Sequence, residues 1–227
     1  MICQLCKRDA SQKLTLTQIL SFKSLNKQLD CDYCLDKFQK IHLDQSCNGC
    51  GRTQDNQSEI CNDCRRWNDE FKNTALFEYD QSMKDFFNQY KFMGDYLIGS
   101  TFAITLYTYL NQIRDQFDLI IPIPIDKSTW LTRGFNQVVG LAPKFDWNDI
   151  LVSNRSDNQK HQYQNSRIER IARNNPFQVC EESRNKLREK SVLLVDDIYT
   201  TGTTLRHARD ALHKYGTKRI ESITLCR

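Results

Sequence analysis

Residues 192–204 read VLLVDDIYTTGTT. An apolar run from Val192 to Val195 leads into two adjacent carboxylates, Asp196 and Asp197. Thr200, Thr201, Gly202, Thr203 and Thr204 follow, one glycine among four hydroxyls. Apolar residues then fall at 205, 208, 212 and 215, one face of a helix. The order predicts a buried strand, a loop and a helix. Backbone N–H groups converge at a helix N-terminus, the helix dipole favours an anion, and glycine lets a ligand approach the backbone. The threonines add neutral donors. Carboxylates repel phosphate, so Asp196 and Asp197 suit the hydroxyls of a sugar or a bridging Mg²⁺. An acid pair beside a phosphate cradle describes a site for a ribose 5-phosphate.

This run resembles the signature of type I phosphoribosyltransferases, which use phosphoribosyl pyrophosphate (PRPP). The resemblance implies that Asp196 and Asp197 bind the ribose 2- and 3-hydroxyls and that residues 200–204 bind the 5-phosphate. An ordinary polar turn is the competing reading. The complete strand, acid pair, threonine-glycine loop and helix disfavour it.

The rest of the chain reads as strands alternating with helices. Strands are expected at 74–79, 117–125, 150–152, 190–195 and 218–225. Helices are expected at 83–92, 97–110, 133–142 and 204–215. The apolar run at 119–123 suits a parallel strand covered on both faces. This alternation predicts an α/β fold with a doubly wound parallel sheet, where ligands bind beyond the strand C-termini. Residues 65–73 read as a polar link, and Cys180 and Cys226 as isolated small residues.

Eight of the ten cysteines form four C-x-x-C pairs within residues 1–64: Cys3/Cys6, Cys31/Cys34, Cys47/Cys50 and Cys61/Cys64. That spacing turns both sulfurs of a pair toward one metal, and two such knuckles complete a tetrahedral Cys₄ zinc site. Two structural zinc ions are expected, in a small double zinc-ribbon module. Sequential pairing (3/6 with 31/34, 47/50 with 61/64) and alternating pairing are both open, and the sequential one is simpler. Disulfides are disfavoured in a reducing compartment. A four-thiolate site leaves no position for water or substrate, so these metals build structure.

The net charge of +4 is uneven. Residues 1–64 carry 8 Lys/Arg and 8 Asp/Glu, residues 65–154 carry 9 and 11, and residues 155–227 carry 15 and 9. The basic final third suits a polyphosphate or a single-stranded DNA backbone, or is a solvated face. No apolar run approaches the roughly 20 residues of a membrane helix, and the N-terminus lacks the apolar core of a secretory signal. A cytoplasmic protein is expected.

Two further segments attract attention. Residues 123–136 carry Asp126, Lys127 and Arg133 just past a buried strand. The resemblance implies that this loop holds pyrophosphate, with Arg133 or Lys127 stabilising it as leaving group beside Mg²⁺. Residues 155–177 are polar and rich in Arg, Asn and Gln, which suits a mobile functional loop or disordered surface. A cysteine-rich N-terminus, KFMGDY (91–96), PIP (122–124), RGFNQ (133–137), Gln162, Arg170, Asn174, Phe177 and the acid-pair loop together resemble the ComF family of bacterial competence proteins. Asn165 departs from that family's usual apolar residue. The resemblance implies handling of incoming single-stranded DNA in natural transformation, beside a helicase-like ComF partner. Two readings follow. One is an enzyme transferring a phosphoribosyl group from PRPP with release of pyrophosphate. The other is a non-catalytic adaptor that binds single-stranded DNA or senses PRPP. Residues 1–68 are read as the zinc module and 69–227 as the phosphoribosyltransferase-like domain. Only 23 residues follow Thr204, so an acceptor pocket is expected from residues before 160 or from the zinc module.

Overall fold

The structure, a computed structural model, describes residues 2–9, 30–54, 59–92, 94–154 and 175–227. Two four-residue helices, α1 (Asp32–Leu35) and α2 (Asn62–Arg65), lie in the cysteine-rich segment. Then come β1 (Asn73–Phe77), α3 (Gln81–Phe92), α4 (Ser100–Ile113) and β2 (Leu119–Pro122). Helices α5 (Lys127–Arg133) and α6 (Gln137–Leu141) precede strands β3 (Leu151–Ser153) and β4 (Phe177–Val179). The described chain closes with β5 (Ser191–Ile198), α7 (Thr203–His213) and β6 (Arg219–Cys226).

Four strands form one sheet in the order β1-β6-β5-β2, parallel throughout. Side chains alternate across a strand, so β5 serves two cores. Leu193 and Val195 join Ile120, Ile223 and Leu225 against Phe86 and Phe87 of α3 and Phe102 and Leu106 of α4. Val192 and Leu194 join Ile121 against Leu205, Ala208 and Leu212 of α7. Helices on both faces give the doubly wound arrangement that the alternating pattern predicts.

Several boundaries differ from the sequence reading. The strand expected at 117–125 is shorter, 119–122, with the Ile123 N–H still donating to Val195 O, and Pro124 carries no N–H to extend the ladder. The helix expected at 133–142 is shorter, α6 at 137–141, and a separate helix, α5, occupies 127–133 within the segment expected to be a loop. Gly134, with φ +77°, ends α5, and the Asn136 side chain caps α6 by accepting from Val138 and Val139. The strand expected at 150–152 does not join the parallel sheet: β3 pairs antiparallel with β4. The helix expected at 97–110 begins with a 3₁₀ turn, Tyr96–Gly99, before α4 proper.

Residues 65–73 are not a free link. Phe71 is buried in the α7 core, and Asp69 pairs with Arg206 and Arg209. The cysteine-rich segment also closes the outer edge of β1. The Ile41 N–H donates to Leu76 O at 2.9 Å, and the Glu78 N–H donates to Gln39 O at 2.8 Å. Covering an edge strand removes a template for unwanted pairing.

Candidate functional site

Strand β5 runs through both acids to Ile198, three residues beyond the expected end at 195. Asp196 and Asp197 are therefore strand residues and project to opposite sides of the sheet. Asp197 shares its side with α3, where its Oδ2 lies 2.7 Å from Lys91 Nζ. Both side chains are largely buried, at 12% and 14% exposure. The same ammonium sits 4.6 Å from the Phe87 ring centroid. Asp196 is half-buried, and its Oδ1 accepts the Asp197 N–H at 2.9 Å. Burial and then the neighbouring Asp197 charge push its carboxyl up to about 8.

The loop after β5 turns tightly. Gly202 has φ +77° and caps α7, whose first turn begins at Thr203 rather than Thr204. A Cβ on Gly202 would run into the Tyr199 hydroxyl and the Arg206 guanidinium. Thr201 and Thr203 share a hydroxyl–hydroxyl bond of 2.9 Å. Thr200, Thr201 and Thr204 are exposed. Thr200, Thr201, Gly202, Thr203 and Thr204 thus stand together at a helix N-terminus, where first-turn N–H groups lack an intrahelical acceptor and that of Thr203 donates to Thr201 Oγ1 at 3.4 Å.

Strand β2 ends beside the acids: Pro122 pairs with Val195, and the Ile123 N–H donates to Val195 O at 2.8 Å. The loop carrying Asp126 and Lys127 consequently leaves the sheet at the same carboxyl edge. Asp126 is spent on capping α5. Its Oδ1 accepts from Thr129 N at 2.8 Å and Ser128 Oγ at 2.6 Å, and its Oδ2 from Thr129 Oγ1 at 3.0 Å. Burial acts to raise its pKa, but these bonds outweigh burial and hold it at about 2. Lys127 is exposed and Arg133 half-buried at the two ends of α5. Asn136 Nδ2 donates to Ile123 O at 2.9 Å and ties the far end of this loop back to the strand.

Arg155, Lys160, Gln162, Asn165, Arg167, Arg170, Arg173 and Asn174 lie outside the described residues. Phe177 does not line the site; it is buried in β4.

The cysteines gather in sequential sets: Cys3, Cys6, Cys31 and Cys34 in one, Cys47, Cys50, Cys61 and Cys64 in the other. Within each set all sulfurs lie within 4.8 Å of one another. A tetrahedron with Zn–S bonds of about 2.3 Å has S···S edges of about 3.8 Å. Cys6 and Cys31 are 3.8 Å apart, and Cys50 and Cys61 are 3.7 Å apart. Backbone N–H groups also point at the sulfurs, Cys31 N to Cys3 Sγ at 3.4 Å and Cys61 N to Cys47 Sγ at 3.2 Å. Such donors stabilise thiolate rather than thiol, so both sets fit a zinc ion.

Lys91 and Arg206 are the two site-edge residues that sequence reasoning passed over. Lys91 follows Met83 and Phe87 at four-residue steps, so it is a cation on an otherwise apolar stripe, which is a legible signal.

A parallel sheet with an acid pair and a glycine-threonine loop at its carboxyl edge defines a phosphoribosyltransferase-type domain. The phosphoribosyl transferase domain family matches residues 106–227. Competence protein ComFC of Streptococcus pneumoniae is 33% identical over 232 residues, spanning 100% of both chains. Competence protein ComFC of Bacillus subtilis is 30% identical over 238 residues, covering 100% of this chain and 95% of that one. Competence protein F of Haemophilus influenzae is 27% identical over 193 residues, covering 80% and 84%. The chain belongs to the ComFC family of competence proteins. No helix among the described residues is long and apolar enough to cross a membrane.

Proposed function

We propose that this chain binds PRPP in the cytoplasm and acts in DNA uptake during natural transformation. The observation that carries the reading is the juxtaposition of Asp196 and Asp197 with the Gly202 turn at the start of α7. The ribose hydroxyls would lie on the acids and the 5-phosphate on residues 200–204. Lys127 and Arg133 would face the pyrophosphate, and Asp126 would shape their helix. Mg²⁺ would neutralise pyrophosphate charge when bound with PRPP. In the catalytic form of this reading, an acceptor nucleophile bonds to the ribose C1, the C1–O bond breaks, and pyrophosphate leaves with the electron pair. Cations at the leaving group stabilise charge that grows in the transition state. The two cysteine sets would each hold a structural zinc.

A non-catalytic adaptor is the second reading, favoured by the 15 Lys/Arg against 9 Asp/Glu of residues 155–227. It would bind single-stranded DNA, beside a helicase-like ComF partner, and the PRPP site would serve as a sensor.

Calorimetric titration of PRPP with Mg²⁺ tests the central claim. Asp196→Asn with Asp197→Asn is expected to weaken binding about tenfold, since each lost hydrogen bond contributes about 0.5–1.5 kcal/mol. Equal affinity in a variant of native melting temperature would refute the ribose role. Pyrophosphate release with candidate acceptors separates enzyme from adaptor. Single-stranded DNA affinity that falls steeply with salt supports the adaptor.

A further inference from the structure

The phosphate loop is fastened from beneath by one buried arginine. Arg206 lies in the first turns of α7 with its side chain 4% exposed. Its Nε and Nη2 donate to the two oxygens of Asp69 at 2.8 and 2.9 Å. Its Nη1 donates to the Tyr199 hydroxyl at 2.8 Å and to the Gly202 carbonyl at 3.5 Å. The guanidinium carbon lies 4.2 Å from the Trp67 ring centroid. One side chain therefore grips the residue before the loop and the glycine at its turn, and is itself anchored on residues 67 and 69.

Those anchors hang directly from the Cys61/Cys64 knuckle of the second cysteine set. The Trp67 N–H donates to Cys64 O at 3.0 Å. A second tie comes from Arg227, whose Nη1 donates to Tyr199 O at 3.4 Å. Its Nη2 sits 3.7 Å from Asp63, which lies between Cys61 and Cys64. All four sulfurs of this set belong to the same buried cluster as Tyr199 and Leu205. The first set is arranged differently. Cys3 and Cys34 form a small cluster of their own. The ties described for it reach Thr101, through Asp30 at 2.8 Å, and Asp95, through Lys7 at 3.7 Å. Neither touches α7 or its loop.

We propose that Arg206 is a positioning residue that couples the phosphate loop to the second cysteine set. The proposal rests on residues 200–204 being the phosphate site. A guanidinium this deeply buried needs its carboxylate partner and its planar fork held in place. When the 61–64 knuckle loses its metal, Trp67 and Asp69 lose their footing, Arg206 loses its anchor, and the Gly202 turn relaxes. The ties of the first set through Asp30 and Lys7 lead instead to Thr101 and Asp95.

The full-length chain tests this with three readouts: zinc content, amide hydrogen exchange at residues 199–204, and calorimetric affinity for ribose 5-phosphate. Arg206→Gln is expected to keep its zinc, lose exchange protection in the loop and bind at least tenfold more weakly. Arg206→Lys is expected to recover the melting temperature but not the affinity, because an ammonium cannot bond Asp69, Tyr199 and Gly202 together. A purely structural role would restore both. Cys61→Ser with Cys64→Ser should reproduce the loss, and Cys3→Ser with Cys6→Ser should not. If the second-set variant does not fold, the two Arg206 variants decide. Wild-type protection and affinity in Arg206→Gln, or equal losses from the first-set variant, overturn the proposal. If the wild type itself ignores ribose 5-phosphate, the phosphate-site reading falls, while loop protection still decides the coupling.

Discussion

Asp196 and Asp197 are neighbours in the chain with different surroundings. Asp197 faces the Lys91 ammonium at 2.7 Å, whereas the Asp196 carboxyl accepts a backbone N–H and is pushed up to about 8 by burial and by Asp197. The folded state therefore holds a proton on Asp196 that the unfolded chain releases near pH 4. Its raised pKa contributes stability that is fully present below about pH 4 and lost as pH rises through 8. The melting temperature of Asp196→Asn should match wild type near pH 4 and exceed it increasingly up to pH 9. Each pKa unit corresponds to about 1.4 kcal/mol, which moves melting by about 3–6 °C in a chain of this size. Melting curves of both proteins across that range check it, and parallel curves would contradict it. Both acids are legible in the sequence, because an apolar strand, the acid pair, a threonine-glycine loop and a helix follow in order. Their division of labour is not, because it depends on Lys91, which helix α3 brings across more than a hundred residues of chain.

Two glycines with φ +77°, Gly134 and Gly202, end or begin helices, yet they sit in opposite settings. Nothing lies within 4 Å of a Cβ on Gly134, while one on Gly202 meets Tyr199 and Arg206. Gly134→Ala should cost about 1–2 kcal/mol from the backbone alone and spare ribose 5-phosphate binding. Gly202→Val should lose that binding and melt lower, because the turn must open to admit the side chain. Calorimetry and melting on the pair check this, and wild-type affinity in Gly202→Val would show that the loop cradles no phosphate. Element order is largely readable from period and turn chemistry. The start of α6 differs from the expected 133 because the left-handed Gly134 ends α5 and the Asn136 cap opens α6, and α5 itself lies in a segment whose Asp and prolines suggest a loop. The antiparallel pairing of β3 with β4 is invisible locally, since its partner lies past residues 155–174.

At the scale of the molecule, the two cysteine sets predict about two zinc ions per chain in protein made without added metal. Elemental analysis checks the count, and a folded, metal-free module would overturn it. The cysteine spacing made this legible, and the sequential pairing emerged only in three dimensions. Composition did not reveal how closely the second set is built into the sheet. Asn73 shows the bond: its Nδ2 donates to Cys50 O and to Thr224 Oγ1, both at 3.1 Å, and its Oδ1 accepts from Ser222 Oγ across 149 residues. Strand β6, which receives Asn73, lies between β1 and β5 in the sheet. During synthesis, β1 must therefore wait for a partner made some 150 residues later, whereas the Cys47–Cys64 knuckles can close within seventeen. The nascent chain arranges its metal-binding thiols early and leaves a gap in the sheet until β6 emerges from the ribosome. The loop of residues 200–204, which follows β5, gains a complete floor only when β6 has joined the sheet.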